Sequence, residues 1–340
     1  MSAPTSFADL PSYDELPCKS AYWPYPPGSA REGAGMPGLC TPAYIADTAA
    51  REIRSGKRIG LTMPAQEMSH PFFGRQKFDI DVHHIAHFGV FDDVITFNPQ
   101  GGSQWDGFRH HGMPTGLISG NTAEANRVPK DDEYVWYGGT TEKEIATPGN
   151  PRIGISYLAD HGIIGRGVLF DYVDYASLHG ISYSCYERYE VPLAHLLDMV
   201  GEYNLDLRPG DIFCLRIGAV TEYRTHTPAS WAAAADIPPQ TVVSAGLQTS
   251  EVLLRWIWDN HFCALVSDAL AVEAFPPSDP STALHHVCLA GWGIPLGELF
   301  DLDELASECK RTGRYSFFFN SVPFNVVGGV STLPNAVAIL

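Results

Sequence analysis

Asp106 and His110 stand four residues apart in the run Gln100-Gly-Gly-Ser-Gln-Trp-Asp-Gly-Phe-Arg-His110. An acid and an imidazole at that spacing can pass a proton between them or share one cation. Alternate residues of an extended chain point the same way, so an extended run puts Gln100, Gly102, Gln104, Asp106, Phe108 and His110 on one face. The Gly101-Gly102 pair permits backbone angles and close approaches that bulkier residues block. The side-chain carbonyl of Gln104 beside the acid adds a third donor, giving a set suited to Mn²⁺ or Zn²⁺. The same spacing also fits a buried Asp–His hydrogen bond with no metal, and from the residues alone both readings stay open.

A second pair, His286 and Glu298, lies far downstream and twelve residues apart. Should the two segments converge, Asp106, His286 and Glu298 could hold one divalent cation. His285 is expected to point elsewhere on a helix and His111 to face solvent. Arg224, in Thr221-Glu-Tyr-Arg224, is a candidate partner for a substrate carboxylate. Trp105 and Phe73, with Phe72 and Trp136, are candidate walls of an apolar pocket, aromatic core being the alternative fate. Asp268 and Glu273 follow an apolar run, where an acid either serves a site or caps a turn. His83, His84 and His87 are expected in packing rather than ligation, and Asp301, Asp303 and Glu304 as charges at a helix start. Neither a Gly-x-Ser-x-Gly elbow nor a phosphate-binding loop occurs, which removes serine hydrolases and nucleotide enzymes from consideration.

These groups must be held by regular elements. Strand-like runs cover Arg58 to Met63, Phe78 to Val90, Arg152 to Tyr157, Val168 to Val173, Asp211 to Ile217, Phe262 to Asp268 and Tyr315 to Phe319. Helical spacing marks Ala46 to Ser55, Leu193 to Val200, Glu251 to Asn260 with Thr249 as N-cap, Ala283 to Gly291 and Asp303 to Lys310. Strands alternating with helices predict an α/β domain. Residues 1–42, rich in Pro and Gly, read as an extended arm laid over a domain or a partner subunit.

The chain has 340 residues, 45 % hydrophobic and only 18 % charged, enough to bury a large core. A net charge of −17 argues against nucleic-acid or anionic-membrane partners. Seven scattered cysteines without a Cys-x-x-Cys pair argue against a disulfide scaffold or a thiolate zinc site. With no signal-like N-terminus and no apolar run near ~20 residues, a cytoplasmic protein acting on a small molecule is expected.

The Gln100–His110 segment resembles the signature HxGTHxDxPxH of the cyclase family of metal-dependent hydrolases, which includes kynurenine formamidase and isatin hydrolase. The glycine, the hydroxyl residue, the acid and the last histidine are retained, as Gly102, Ser103, Asp106 and His110. Gln100 and Gln104 replace two histidines and Phe108 replaces the proline. The His286/Glu298 spacing also matches, and so do Gly165 to Asp171, the run from Pro209 and Gly328-Gly-Val330, so the likeness covers about residues 55 to 340. The Gln-Trp-Asp-Gly variant looks most like the fungal branch; secondary metabolism is the setting expected of a metal-free activity in the same pocket.

The resemblance implies a single domain at residues 43–340, of the swivelling β/β/α type, with a central β-barrel-like sheet flanked by helices, commonly in homodimers or higher homo-oligomers. It implies metal ligation by Asp106, His286 and Glu298, with Gln104 a substitute ligand, and His110 as general acid/base working with Asp106. Gln100, Trp105, Arg224 and Phe73 are left to contact substrate. Carboxamides are weaker ligands than imidazoles, so the two glutamines disfavour a two-metal centre. The expected activity is metal-dependent hydrolysis of a small cyclic amide, lactone or related carbonyl compound at a C–N or C–O bond, with one Mn²⁺ or Zn²⁺. The alternatives are a metal-free cyclase, dehydratase or isomerase using the same pocket, and a non-catalytic binding protein on the same scaffold.

Overall fold

Ile212, Phe213, Cys214 and Leu215 are apolar in succession, the pattern of a strand covered on both faces, and all four are fully buried. In the computed structural model, which describes residues 3–86, 88–118, 133–227, 231, 238 and 241–340, this strand lies at the middle of a nine-stranded sheet. The order is Arg58–Gly60, Ala336–Ile339, Ser316–Ser321, Ile163–Asp171, Ile212–Arg216, Ala264–Ser267, Leu296–Glu298, Gln104–Asp106 and Ser331–Thr332. The four strands from Ile163–Asp171 to Leu296–Glu298 are parallel and the remaining pairings antiparallel.

Parallel neighbours need crossovers, which helices usually supply. Tyr172–Leu178 and Leu193–Glu202 occupy the first, Ala219–Thr225 and Glu251–Asp259 the second, and the π-helix His285–Trp292 the third. The sheet curls into a half-barrel flanked by helices, the α/β single domain expected.

Several local expectations are corrected. Arg152 to Tyr157 is not a strand: Ile153 takes a left-handed φ of 49°, and the helix Ser156–His161 starts within the run. Phe78 to Val90 is not one strand but the first arm of a hairpin, Asp79–Ile85 with Val90–Thr96, turned at Gly89 with φ 62°. The N-cap of Glu251–Asp259 is Ser250, whose Oγ accepts from Leu253 N at 3.3 Å, rather than Thr249. The run Val168 to Val173 is strand only to Asp171, whose carboxylate then caps the next helix.

Residues 3–41 lie against the domain as short 3-10 turns, with Tyr13, Leu16, Tyr25 and Met36 buried in the main core. Their backbone holds the end of the π-helix: Tyr22 N donates to Gly291 O at 3.0 Å and Met36 N to Gly293 O at 2.7 Å. Among the described residues no helix is long and apolar enough to cross a membrane.

Candidate functional site

The register of two short strands brings the distant segments together. Gln104–Asp106 pairs antiparallel with Leu296–Glu298, setting Gln104 opposite Glu298 and Asp106 opposite Leu296. Residues i and i+2 of a strand share a face, so Gln104, Asp106 and Glu298 point one way and Trp105 the other. Gly107 then turns the chain: a Cβ there would come 2.8 Å from Val330 O, and its N–H donates to that oxygen at 3.1 Å. The extended run expected from Gln100 to His110 therefore holds only over Gln104–Asp106. Phe108 leaves the common face for the core, its ring 4.7 Å from that of Tyr137. Gly101 and Gly102 keep ordinary φ; Gly101 serves close approach, a Cβ there falling 3.1 Å from Asn98 O.

Both glutamines act as clamps. Gln104 Nε2 donates to Glu298 Oε2 at 2.6 Å and, more weakly, to Asp106 Oδ1 at 3.4 Å. Gln100 Nε2 donates to Asp106 Oδ1 at 2.9 Å and lies 3.0 Å from His110 Nδ1. The amide nitrogen of Gln104 is thus taken up by two carboxylate oxygens, while its Oε1, the atom expected to serve as a ligand, is buried without a hydrogen-bond donor.

The helix contributes a different histidine from the one expected. His285 Nε2 lies 3.3 Å from Glu298 Oε1 and 3.7 Å from Asp106 Oδ2. Its Nδ1 and backbone N–H both meet Glu273 Oε1, at 2.9 and 3.1 Å. His286 is anchored elsewhere, its Nδ1 2.8 Å from Pro280 O and its ring 4.9 Å from that of His111. The two neighbours thus exchange the orientations expected of them, since Glu273 pulls one ring inward and Pro280 draws the other aside. His111 is also reassigned: it lines the cavity rather than facing solvent.

His110 sits beside this cluster, Nε2 3.6 Å from Asp106 Oδ2. The donor atoms of Asp106, His110 and His285 lie within 4.8 Å of one another, the spacing of a metal site. Buried Asp106 Oδ2, Glu298 Oε1, Glu273 Oε2 and Gln104 Oε1 make no hydrogen bond of good geometry. Such orphaned oxygens are costly unless a cation or proton reaches them.

Electrostatics reflect the crowding. Burial opposes ionisation of Asp106, yet His110, His285 and Arg75 outweigh it and hold the carboxyl at about 2. Burial, then Asp106, pushes Glu298 up to about 7. Burial opposes the charged form of His285 as well, but Glu273, Asp106 and Glu298 together raise it far above an ordinary imidazole. His110, His111 and His286 are all lowered, burial being the first cause for each.

The cluster floors a cavity of about 210 Å³ whose walls include Phe73, Arg75, Leu270, Phe275, Pro277 and Ala283. Phe73 is where the sequence placed it; Trp105 and Arg224 are not. Trp105 is wholly buried on the other face of its strand, with Nε1 donating to Ser321 Oγ at 2.9 Å. Arg224 is tied to Glu67 at 2.5 Å and Asp301 at 2.7 Å. Asp268 caps a turn, accepting from the N–H groups of Ile217 and Gly218 at 2.6 and 2.7 Å. His83 and His84 lie on the exposed hairpin, while His87 falls outside the described residues. Sequence reasoning missed Arg75, although a cation directly after Phe72-Phe73-Gly74 was a readable signal.

A family model described as "Putative cyclase" matches residues 59–274. This chain is similar to the crystal structure of a novel cyclase, with 25 % identity and a TM-score of 0.74 over 91 % of this chain and 96 % of that one. Isatin hydrolase A from Ralstonia solanacearum shares the fold at 15 % identity and a TM-score of 0.54, covering 87 % and 95 % of the two chains. Isatin hydrolase A from Labrenzia aggregata does so at 13 % identity and 0.55, covering 83 % and 93 %. Among curated proteins no significant match is found.

Proposed function

The chain belongs to the cyclase family, and on that premise we propose that it is a metal-dependent hydrolase of a small cyclic amide, lactone or related carbonyl compound. The observation that carries this reading is the gathering of Asp106, Glu298 and Glu273 around His285, with buried carboxylate oxygens left without donors. Three carboxylates about one imidazole are short of positive charge, and a divalent ion would make good the deficit.

Asp106 and His285 both belong to the group whose donor atoms lie within 4.8 Å of one another. We assign the third place to Glu298, because its Oε1 lacks a donor while His110 already rests against the amide of Gln100. Glu273, bonded to the far nitrogen of His285, fixes the ring's orientation in the manner of a carboxylate–histidine–metal relay. Oxygen-rich donors with an imidazole suit Mn²⁺ or Zn²⁺. A cation so held polarises a carbonyl and lowers the pKa of a water, the chemistry of metal-assisted hydrolysis.

His110 is left to take a proton from the attacking water and return it to the leaving nitrogen or oxygen. Burial lowers its pKa below the ordinary imidazole value, which favours the neutral, proton-accepting ring. Gln100 steadies it, and Phe73 and Phe275 wall the cavity with apolar surface. The test is elemental analysis of the purified protein, with a screen of lactones, cyclic imides, N-formyl aromatics and isatin. Activity lost on chelation and restored by Mn²⁺ or Zn²⁺ is expected; full activity in metal-free protein sinks the proposal.

One observation favours a second reading. Glu273, Glu298 and Asp106 oxygens lie 2.9, 3.3 and 3.7 Å from the ring nitrogens of His285, which favours its charged form and lets it serve as the cation of the cluster. The pocket would then run a metal-free cyclisation, dehydration or isomerisation with His110 and Asp106 as the proton-moving pair.

A further inference from the structure

Arg75 stands apart from the other site residues in having almost no assigned work. It is half-buried at the cavity wall, where Nη1 donates to Gln100 O at 2.9 Å and the guanidinium lies 5.0 Å from the centre of the Phe73 ring. A guanidinium carries five N–H donors. Among the described residues no carboxylate is in ion-pair contact with it, in a chain whose net charge is −17. Arg109 shows the contrast: its guanidinium spends Nε, Nη1 and Nη2 on the carbonyls of Arg152, Gly328 and Asn150, at 2.9, 2.8 and 2.6 Å.

We propose that Arg75 binds a carboxylate carried by the substrate, so that the molecule held in this cavity is a small organic acid built on an apolar ring. This deepens the hydrolase reading by naming the substrate class. A planar guanidinium resting on an aromatic face keeps a flat edge free for two parallel bonds to a carboxylate. Leu270, Phe275, Pro277 and Ala283 offer the ring an apolar wall, and Phe275 meets Phe73 edge to face with ring centres 5.7 Å apart. About 210 Å³ accommodates one ring with substituents, given that a cavity of roughly 150 Å³ holds benzene. Glu273 and Glu298 line the floor, with Asp106 wholly buried behind them, so without a metal the floor repels anions, and Arg75 is the cation at the wall that could hold an acid. The competing explanation gives Arg75 no ligand and has it only offset the acidic floor.

Binding separates the two. Calorimetry with benzoate and benzamide as probes, on the full chain as purified and after chelation, compares an acid with its neutral counterpart. Benzoate is expected to bind at least about tenfold more tightly than benzamide. Arg75→Met should remove that preference and leave benzamide unchanged, while Arg75→Lys, a second variant that keeps the charge, should retain part of it. Circular dichroism establishes that each variant is folded. Equal affinities in the unaltered protein, no binding of either probe, a benzoate preference that survives Arg75→Met, or an equal loss of both probes would each overturn the proposal. The outcome is independent of turnover: a protein lacking metal-dependent hydrolysis could still select benzoate, and an active hydrolase could fail to.

Discussion

Two ionic clusters on the same domain have opposite characters. Around Arg216 and Arg224 four carboxylates, Asp171, Asp303, Glu67 and Asp301, share two guanidiniums. Around His285 three carboxylates, Asp106, Glu273 and Glu298, share one imidazole. Acids are in surplus in both, so charge ratio alone does not mark a site. Exposure separates most of the first cluster from the second: the Arg224, Glu67 and Asp301 side chains are 35, 22 and 22 % exposed and only Asp171, at 4 % and bonded to Arg216, is buried, whereas those of Asp106, Glu273 and Glu298 are 0, 2 and 3 % exposed. Water absorbs the surplus at the surface, where an ion pair is worth about 0–1 kcal/mol. In the pocket the surplus is dry and must be met by a cation or a proton. Among the described residues, fully buried oxygens without donors occur in the second cluster and not in the first.

The comparison is broken or sharpened by substitution. Asp106→Ala and Glu298→Ala should each abolish stoichiometric metal and cut turnover by about 10³-fold or more, because several kcal/mol of transition-state stabilisation go with the ion. Arg224→Met, measured alongside, should change turnover by no more than about threefold. Comparable losses in both clusters would erase the distinction. His110→Ala should lower turnover by roughly 10²–10⁴-fold with metal content intact, as read by elemental analysis; loss of metal instead would make His110 a ligand.

A smaller effect tests the reassigned histidines. Glu273→Gln should weaken metal affinity by about 10–100-fold through His285, and His286→Ala should leave it near that of the unaltered protein. Smallest of all is the stability of the metal-free protein. Glu298→Gln removes a buried charge and should stabilise the fold by about 1–3 kcal/mol in denaturant titration. Arg224→Met should cost no more than about 1 kcal/mol. If Glu298→Gln destabilised the metal-free protein, Glu298 would belong to structure and not to a site.

Much of this was legible from local pattern. Apolar runs such as Ile212–Arg216 and Ala264–Ser267, and amphipathic spacing such as Leu193–Glu202, announce their elements because burial on a sheet or along a helix stripe repeats every few residues. The acids Asp106 and Glu298 were also readable as candidates, from the likeness to the family signature and the twelve-residue His/Glu spacing. Arg152 to Tyr157 misled because β-like composition does not reveal a residue held at φ 49°.

Sequence by itself determined the alternation of strands and helices and the chemical types available to the pocket, since both depend on neighbours along the chain. Tertiary structure alone decided which group does what. His285 rather than His286 faces the carboxylates because Glu273, from another part of the fold, holds its ring at the start of a π-helix. Arg224 is consumed by Glu67 and Asp301, through contacts spanning up to 157 positions, while Arg75, bonded to the Gln100 carbonyl, meets no carboxylate among the described residues. Direction and pairing of a charged side chain are settled by whatever reaches it in space, and no local pattern carries that information.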